Sequence, residues 1–214
     1  MPATKRRRVE DGTTVLAVTE NEVISDFQTP IVSLYVGNQD TPFLVHHGII
    51  SRESPHLQRA VEGDFKEGTE KRIDMASDDP EAMKHVIDWM YTHRFSWPAE
   101  PYARIMVAVK VFVLADFLLM KTPLAEIKEV IKVSFWDLDG SRETIPIFPD
   151  AAYQTPLSET LLQAFARYIR KYPDIKDSVL DTFQDLRFVR NMASVFAAGK
   201  TPEEDSKYLW RSIR

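Results

Sequence analysis

The chain has 214 residues, 44% of them hydrophobic and 28% charged, with a net charge of −5. That is long enough for one core with an appendage or for two small domains, and too acidic for a surface built on nucleic acid. Cysteine is absent, which removes disulfides, thiol catalysis and cysteine-ligated zinc or iron and fits a reducing intracellular compartment.

Residues 1–12 are polar and carry no apolar period, so residues 1–24 are expected to be a disordered tail. The tail holds Lys5-Arg6-Arg7-Arg8-Val9. A compact basic cluster of this kind can lie extended in the acidic groove of an import receptor, which makes it a candidate nuclear import signal. The alternative is a solubilising tail with weak phosphate contacts. No apolar segment follows these charges, so a secretory leader is not expected. Residues 13–18 are β-branched and suggest a short strand, and residues 21–29 a loop or helical turn.

Ile31 to Val36 is rich in β-branched residues and ends at Gly37-Asn38, which reads as a strand and a turn. Residues 42–45 read as the returning strand of a hairpin. From His46 the period becomes helical, through Ile49 and Ile50. Ser54-Pro55 then opens a second helix, with a capping hydroxyl and a proline at the first position. Leu57 and Val61 continue its apolar face and Gly63 ends it. Residues 65–70 look like a loop, and Arg72 to Met75 like a short alternating strand. Asp78-Asp79-Pro80 starts a helix whose apolar face is Met83, Val86, Ile87 and Met90.

The stretch 102–120 is apolar on nearly every side and predicts a buried helix, in which Asp116 needs a partner or an exposed position. Its longest apolar run, 107–120, is interrupted by Lys110 and Asp116 and is too short to span a bilayer. Pro123 opens another helix carrying Leu124, Ile127 and Ile131. Residues 135–142 look like a connection and the best domain boundary. Beyond it, Leu157, Leu161, Ala164, Phe165, Tyr168 and Tyr172 keep a 3.6-residue period up to Pro173. Val179 to Phe196 keeps a second such period, and Thr201-Pro202 starts a short terminal helix. Strands followed by helices, without βαβ alternation, indicate an α+β fold with a helical extension.

A search for chemistry returns nothing positive. The five histidines include no His-Glu-x-x-His, and His46 and His47 point opposite ways if they end a strand. His46 reads instead as a junction ring with hydrogen-bonded nitrogens. Gly63 and Gly68 have the start of phosphate-loop spacing, but Thr69-Glu70 follows where Lys-Ser/Thr is needed. Asp137-x-Asp139-Gly140 lacks the spacing and terminal glutamate of a calcium loop. No base, nucleophile and orienting group occur together. The expectation is a protein with no catalytic role, no cofactor and no metal.

The segment from Val36 onward resembles a BTB/POZ domain, of the type common in fungi. The residues that carry the likeness are Val36-Gly37, Phe43-x-Val45-His46, Ile49-Ile50, Ser54-Pro55 and Leu57. Phe65-x-Glu67, the strand at Ile73, Trp89-Met90-Tyr91-Thr92 and Leu114-Ala115-Asp116-Phe117 follow in order. The region from Tyr153 to Phe196 is similar to the helical tail of fungal members. The resemblance implies a small β-sheet capped by a helical cluster over residues 25–133, followed by an all-helical C-terminal extension over 134–214. It implies a non-catalytic interaction module that self-associates as a homodimer and recruits other proteins. It also implies, as an alternative, a substrate adaptor of a cullin-type ubiquitin ligase. In such adaptors an apolar-x-Glu motif touches the cullin, and Phe65 and Glu67 match it. Transcription-factor members carry an aspartate before the first core strand and a basic residue after the histidine. Pro30-Ile31 and His47 stand there instead, so their charged pocket is not expected.

Overall fold

The computed structural model describes residues 25–63, 66–138, 148, 152 and 154–172. The expectations for residues 1–24, including the basic cluster, and for residues beyond 172 lie outside the described residues.

Ile31–Val36 forms β1 and Phe43–His46 forms β2, a hairpin in antiparallel register with Val32 opposite Val45 and Ser33 opposite Leu44. Arg72–Met75 forms β3, which pairs parallel to the other edge of β1 and gives the order β2-β1-β3. Alternation along β1 decides the faces. Val32, Leu34 and Val36 are buried, whereas Ile31, Ser33 and Tyr35 turn outward.

Between β2 and β3 run α1 (His47–Glu53), α2 (Pro55–Glu62) and α3 (Lys66–Glu70). The Ser54-Pro55 start is as the sequence predicts, and the structure shows why the serine is buried. Its Oγ accepts from the Leu57 N–H (3.2 Å) and donates to the Leu118 carbonyl (2.8 Å). One hydroxyl thus caps α2 and ties it to the end of a distant helix. The predicted loop at residues 65–70 is a short helix over its last five residues. Gly68 sits inside it although glycine weakens helices. A Cβ there would meet the Gly63 carbonyl oxygen at 2.0 Å, so the close return of the chain demands glycine.

Pro80–Thr92 forms α4, Pro101–Phe117 forms α5 and Lys121–Asp137 forms α6. Asp79 caps α4 by accepting from the Glu81 and Ala82 N–H groups. Burial alone would raise its carboxyl, but the Lys110 ammonium (2.8 Å) and those two N–H donors together hold it below its ordinary value. The neighbouring Asp78 is pushed up by burial, against the pull of His56. Beyond the predicted Met83, Val86 and Met90, α4 also buries Ala82 and Trp89, while Ile87 is only partly covered. Helix α5 is the centre of the core, with eight buried side chains from Ile105 to Ala115. At the end of the predicted buried stretch Leu118 and Met120 are buried but Phe117 and Leu119 are exposed, and Asp116 is half-buried.

Helix α6 continues through Phe135 to Asp137, past the point where the sequence suggests a connection. Phe135 packs edge-on against Phe165, with ring centroids 4.9 Å apart. Phe165 belongs to α7 (Ser158–Lys171), which buries Leu161, Ala164, Phe165 and Tyr168 on the predicted face. Aromatic contact therefore extends one core from the sheet to α7. Among the described residues, no helix is long and apolar enough to cross a membrane.

Candidate interaction surface

The hairpin register builds an outward face from Ile31, Ser33, Tyr35, Leu44 and His46, extended by Arg72 and Asp74 of β3. At the β3 end the face is charged. The Arg72 guanidinium lies 4.0 Å over the Tyr35 ring and bonds Asp74 at 2.8 Å, and that hydrogen bond lowers the Asp74 carboxyl below its ordinary value. At the β2 end the face is apolar. Leu44 is 64% exposed and Ile31 44%. They lie diagonally across the β1–β2 pair, at a spacing of roughly 7–8 Å.

A helical turn at residues 25–27 extends this apolar end. The Phe27 ring meets His46 edge-on at 5.3 Å and stacks on Tyr91 at 6.1 Å, yet remains 47% exposed. His46 stands opposite Ile31 and two positions from Leu44 on the same face, so its imidazole links Phe27 to the face that carries both. Exposed apolar groups that adjoin in this way mark contact surfaces better than scattered ones.

The turn is held by a charged network. Arg52 of α1 bridges Asp26 and Glu53, with Nε donating to Glu53 at 2.6 Å, and His93 Nε2 lies 3.5 Å from the same carboxylate. Thr29 Oγ1 accepts from the Gly48 N–H at 2.8 Å and donates to the Asp26 carbonyl at 2.6 Å. A Cβ on Gly48 would stand 2.6 Å from Asp26 Oδ1 and 2.8 Å from Asp26 Cα, so this approach requires glycine. Asp26 and Arg52 escaped the sequence reading because they are 26 positions apart on elements with no shared period.

His46 is the junction ring the sequence suggests, with one of its ring nitrogens hydrogen-bonded. The Tyr91 hydroxyl accepts from its backbone N–H (3.0 Å) and shares a hydrogen bond with its Nδ1 (2.8 Å). It is a junction between β2, α1 and α4. Of the candidate cullin-contact pair, Glu67 lies in α3 with its side chain exposed, beside the Lys66–Glu70 pair at 3.8 Å. Phe65 lies outside the described residues, as do Lys5, Arg6, Arg7 and Arg8. A second exposed apolar spot pairs Phe117 with the His56 ring at 4.6 Å, next to Leu119. Among the described residues no three His, Asp or Glu side chains are placed to hold a metal ion.

This is a surface suited to contact with another protein: an apolar strip on a rigid sheet, with a charged margin. No curated protein matches the chain. The BTB/POZ domain family matches residues 27–134, which includes the hairpin, the Ser54-Pro55 junction, α4, α5 and most of α6, and is half of the sequence. The chain belongs to the BTB/POZ family of protein–protein interaction modules.

Proposed function

We propose that this chain is a non-catalytic scaffold that self-associates through the outward sheet face at Phe27, Ile31 and Leu44 and recruits partner proteins in the nucleus. The observation that carries the reading is the continuity of those three exposed side chains through His46. A two-fold axis through such a strip brings each apolar side chain against its copy. The nuclear destination rests on Lys5-Arg6-Arg7-Arg8. In this reading residues 1–24 form the tail, 25–133 the interaction domain and 134–214 a helical extension of the fungal type. The amphipathic run from Leu157 to Tyr172 supports that last assignment. Sedimentation of the full chain across the micromolar range tests the association, and a strict monomer at every concentration removes it.

A second reading, a cullin-ligase adaptor, is favoured by the exposure of Glu67 in a short helix at the domain surface. Charge reversal at Glu67 together with Phe65→Ala abolishes cullin co-purification under this reading. Unchanged binding refutes the choice of residues.

A further inference from the structure

A groove of about 500 Å³ lies between residues 97–99 and helices α5 and α6. Its walls are apolar where Trp97, Pro98, Val130 and Val133 line it, and acidic where Glu126 and Glu129 of α6 reach its edge. The apolar wall is rigid. Trp97 stacks on Phe95 at 4.5 Å and on His85 at 5.7 Å, and the Phe95 ring stacks on buried Trp89. Arg104, the one cation lining the groove among the described residues, is already committed. Its Nε donates to the Pro98 carbonyl (2.9 Å), Nη2 donates to the Ala99 carbonyl (2.6 Å), and Nη1 lies 3.6 Å from Asp137. Glu129 takes Lys132 at 2.6 Å. Glu126 is exposed and has no hydrogen bond or ion pair among the described residues. The groove therefore presents one carboxylate with no partner among the described residues, Glu126, and a second, Glu129, shared with Lys132, beside an aromatic and aliphatic floor.

We propose that the occupant is the chain's own Lys5-Arg6-Arg7-Arg8-Val9 segment. Glu126 and Glu129 are three positions apart on one helix, so their side chains rise side by side about 5–6 Å apart. Alternate residues of an extended segment are roughly 6.6 Å apart, which lets one basic side chain meet Glu126 while a second shares Glu129 with Lys132. Val9 matches the apolar floor of Val130 and Val133. Reach is sufficient. The sixteen steps from Val9 to Ser25 extend to about 50 Å, and a domain of this size is roughly 35 Å across. Tethering raises the local concentration of the segment to about the millimolar range, where weak ion pairs hold. The consequence, though not the docking, rests on the reading of the same residues as an import signal. Docking and receptor binding exclude each other, so groove occupancy sets how much signal is displayed.

The test uses the full-length chain. Trypsin cleavage after Lys5 to Arg8 is followed by mass spectrometry, with a synthetic peptide of residues 1–24 as the undocked standard. Cleavage in the chain is expected to be at least about threefold slower than in the peptide at low salt, from two surface ion pairs. The difference disappears at about 1 M salt, where the screening length is ~3 Å, and in Glu126→Lys/Glu129→Lys with an unchanged melting midpoint. A carbodiimide cross-link from Lys5 to Glu126 or Glu129, with a yield independent of protein concentration, is the second measurement and needs no variant. Equal cleavage of chain and peptide overturns the proposal, as do cross-links that form only between copies. Nuclear accumulation of the Glu126→Lys/Glu129→Lys chain is scored separately. If the cross-link forms and accumulation does not change, the docking stands and the import reading falls.

Discussion

Replacing Leu44 by lysine is the most direct perturbation of the proposed association face. Leu44 is 64% exposed on the edge strand β2, so the change removes no core packing, and lysine is a residue that edge strands use to stay unpaired. Fully burying a leucine is worth about 1.5–3 kcal/mol. The fraction still exposed leaves about 1–2 kcal/mol to be gained when a second copy covers it. A two-fold interface uses the residue twice, so about 2–4 kcal/mol is lost with the side chain. At 1.4 kcal/mol per tenfold, the dimer dissociation constant rises roughly 30- to 700-fold. The ammonium's desolvation pushes in the same direction. Sedimentation equilibrium on the full chain and the variant measures the shift, while the thermal midpoint, compared at a concentration low enough that both chains are monomeric, stays within about 1 °C because nothing in the core changes. A dissociation constant within about threefold of the parent would refute the placement of the interface, whatever the oligomeric state.

Three further outcomes follow from the geometry. Ser54→Ala removes the α2 cap, worth about 1 kcal/mol, and strands the Leu118 carbonyl, worth about 1–3 kcal/mol more; urea unfolding should show a lower midpoint at constant slope, and a loss under about 0.5 kcal/mol contradicts the double role. Gly48→Ala pushes the 25–29 turn off α1 at a cost of about 1–3 kcal/mol, and hydrogen exchange in that turn accelerates while exchange in α5 does not. Asp79 has a folded-state pKa below its ordinary value of 3.8, so its stabilisation is present above that value and is lost as the pH falls through the lower folded value. Asp79→Asn therefore lowers stability at neutral pH and flattens the acid limb of the stability curve; an unchanged acid limb rejects the Lys110 and N–H contacts as its cause.

The hairpin, the Ser54-Pro55 helix start, the core face of α4, the central α5 and the face of α7 were all legible, because each writes its own period into contiguous residues. The residues of the candidate surface were less so. Leu44 and Ile31 read as ordinary strand residues, and only the register with Val32 and Val45 buried turns them both outward. Phe27 and Asp26 sit in a segment with no period at all, and their partners His46, Tyr91 and Arg52 come from three other elements. Phe117 and Leu119 end an apolar run and were expected inside. The helix stops at Phe117, and Leu119 takes a left-handed backbone with φ +60°, a turn in which Leu118 and Met120 are buried and Leu119 between them is left outside.

What the sequence by itself determined is the inventory of elements, the family they belong to and the residues that can cap or break them. Those follow from local periodicity and backbone chemistry, which act within a few residues. What only the tertiary structure decided is which face of the sheet stays open, why Gly48 and Gly68 must be glycine, that α6 runs on to Phe135 and joins α7 to the core, and that Arg104 turns to the Pro98 and Ala99 carbonyls and Asp137 instead of Glu126. These depend on which distant backbone segments lie against one another, and pairing across 26 or 64 positions, as between Asp26 and Arg52 or Ser54 and Leu118, leaves no mark in the pattern of either partner.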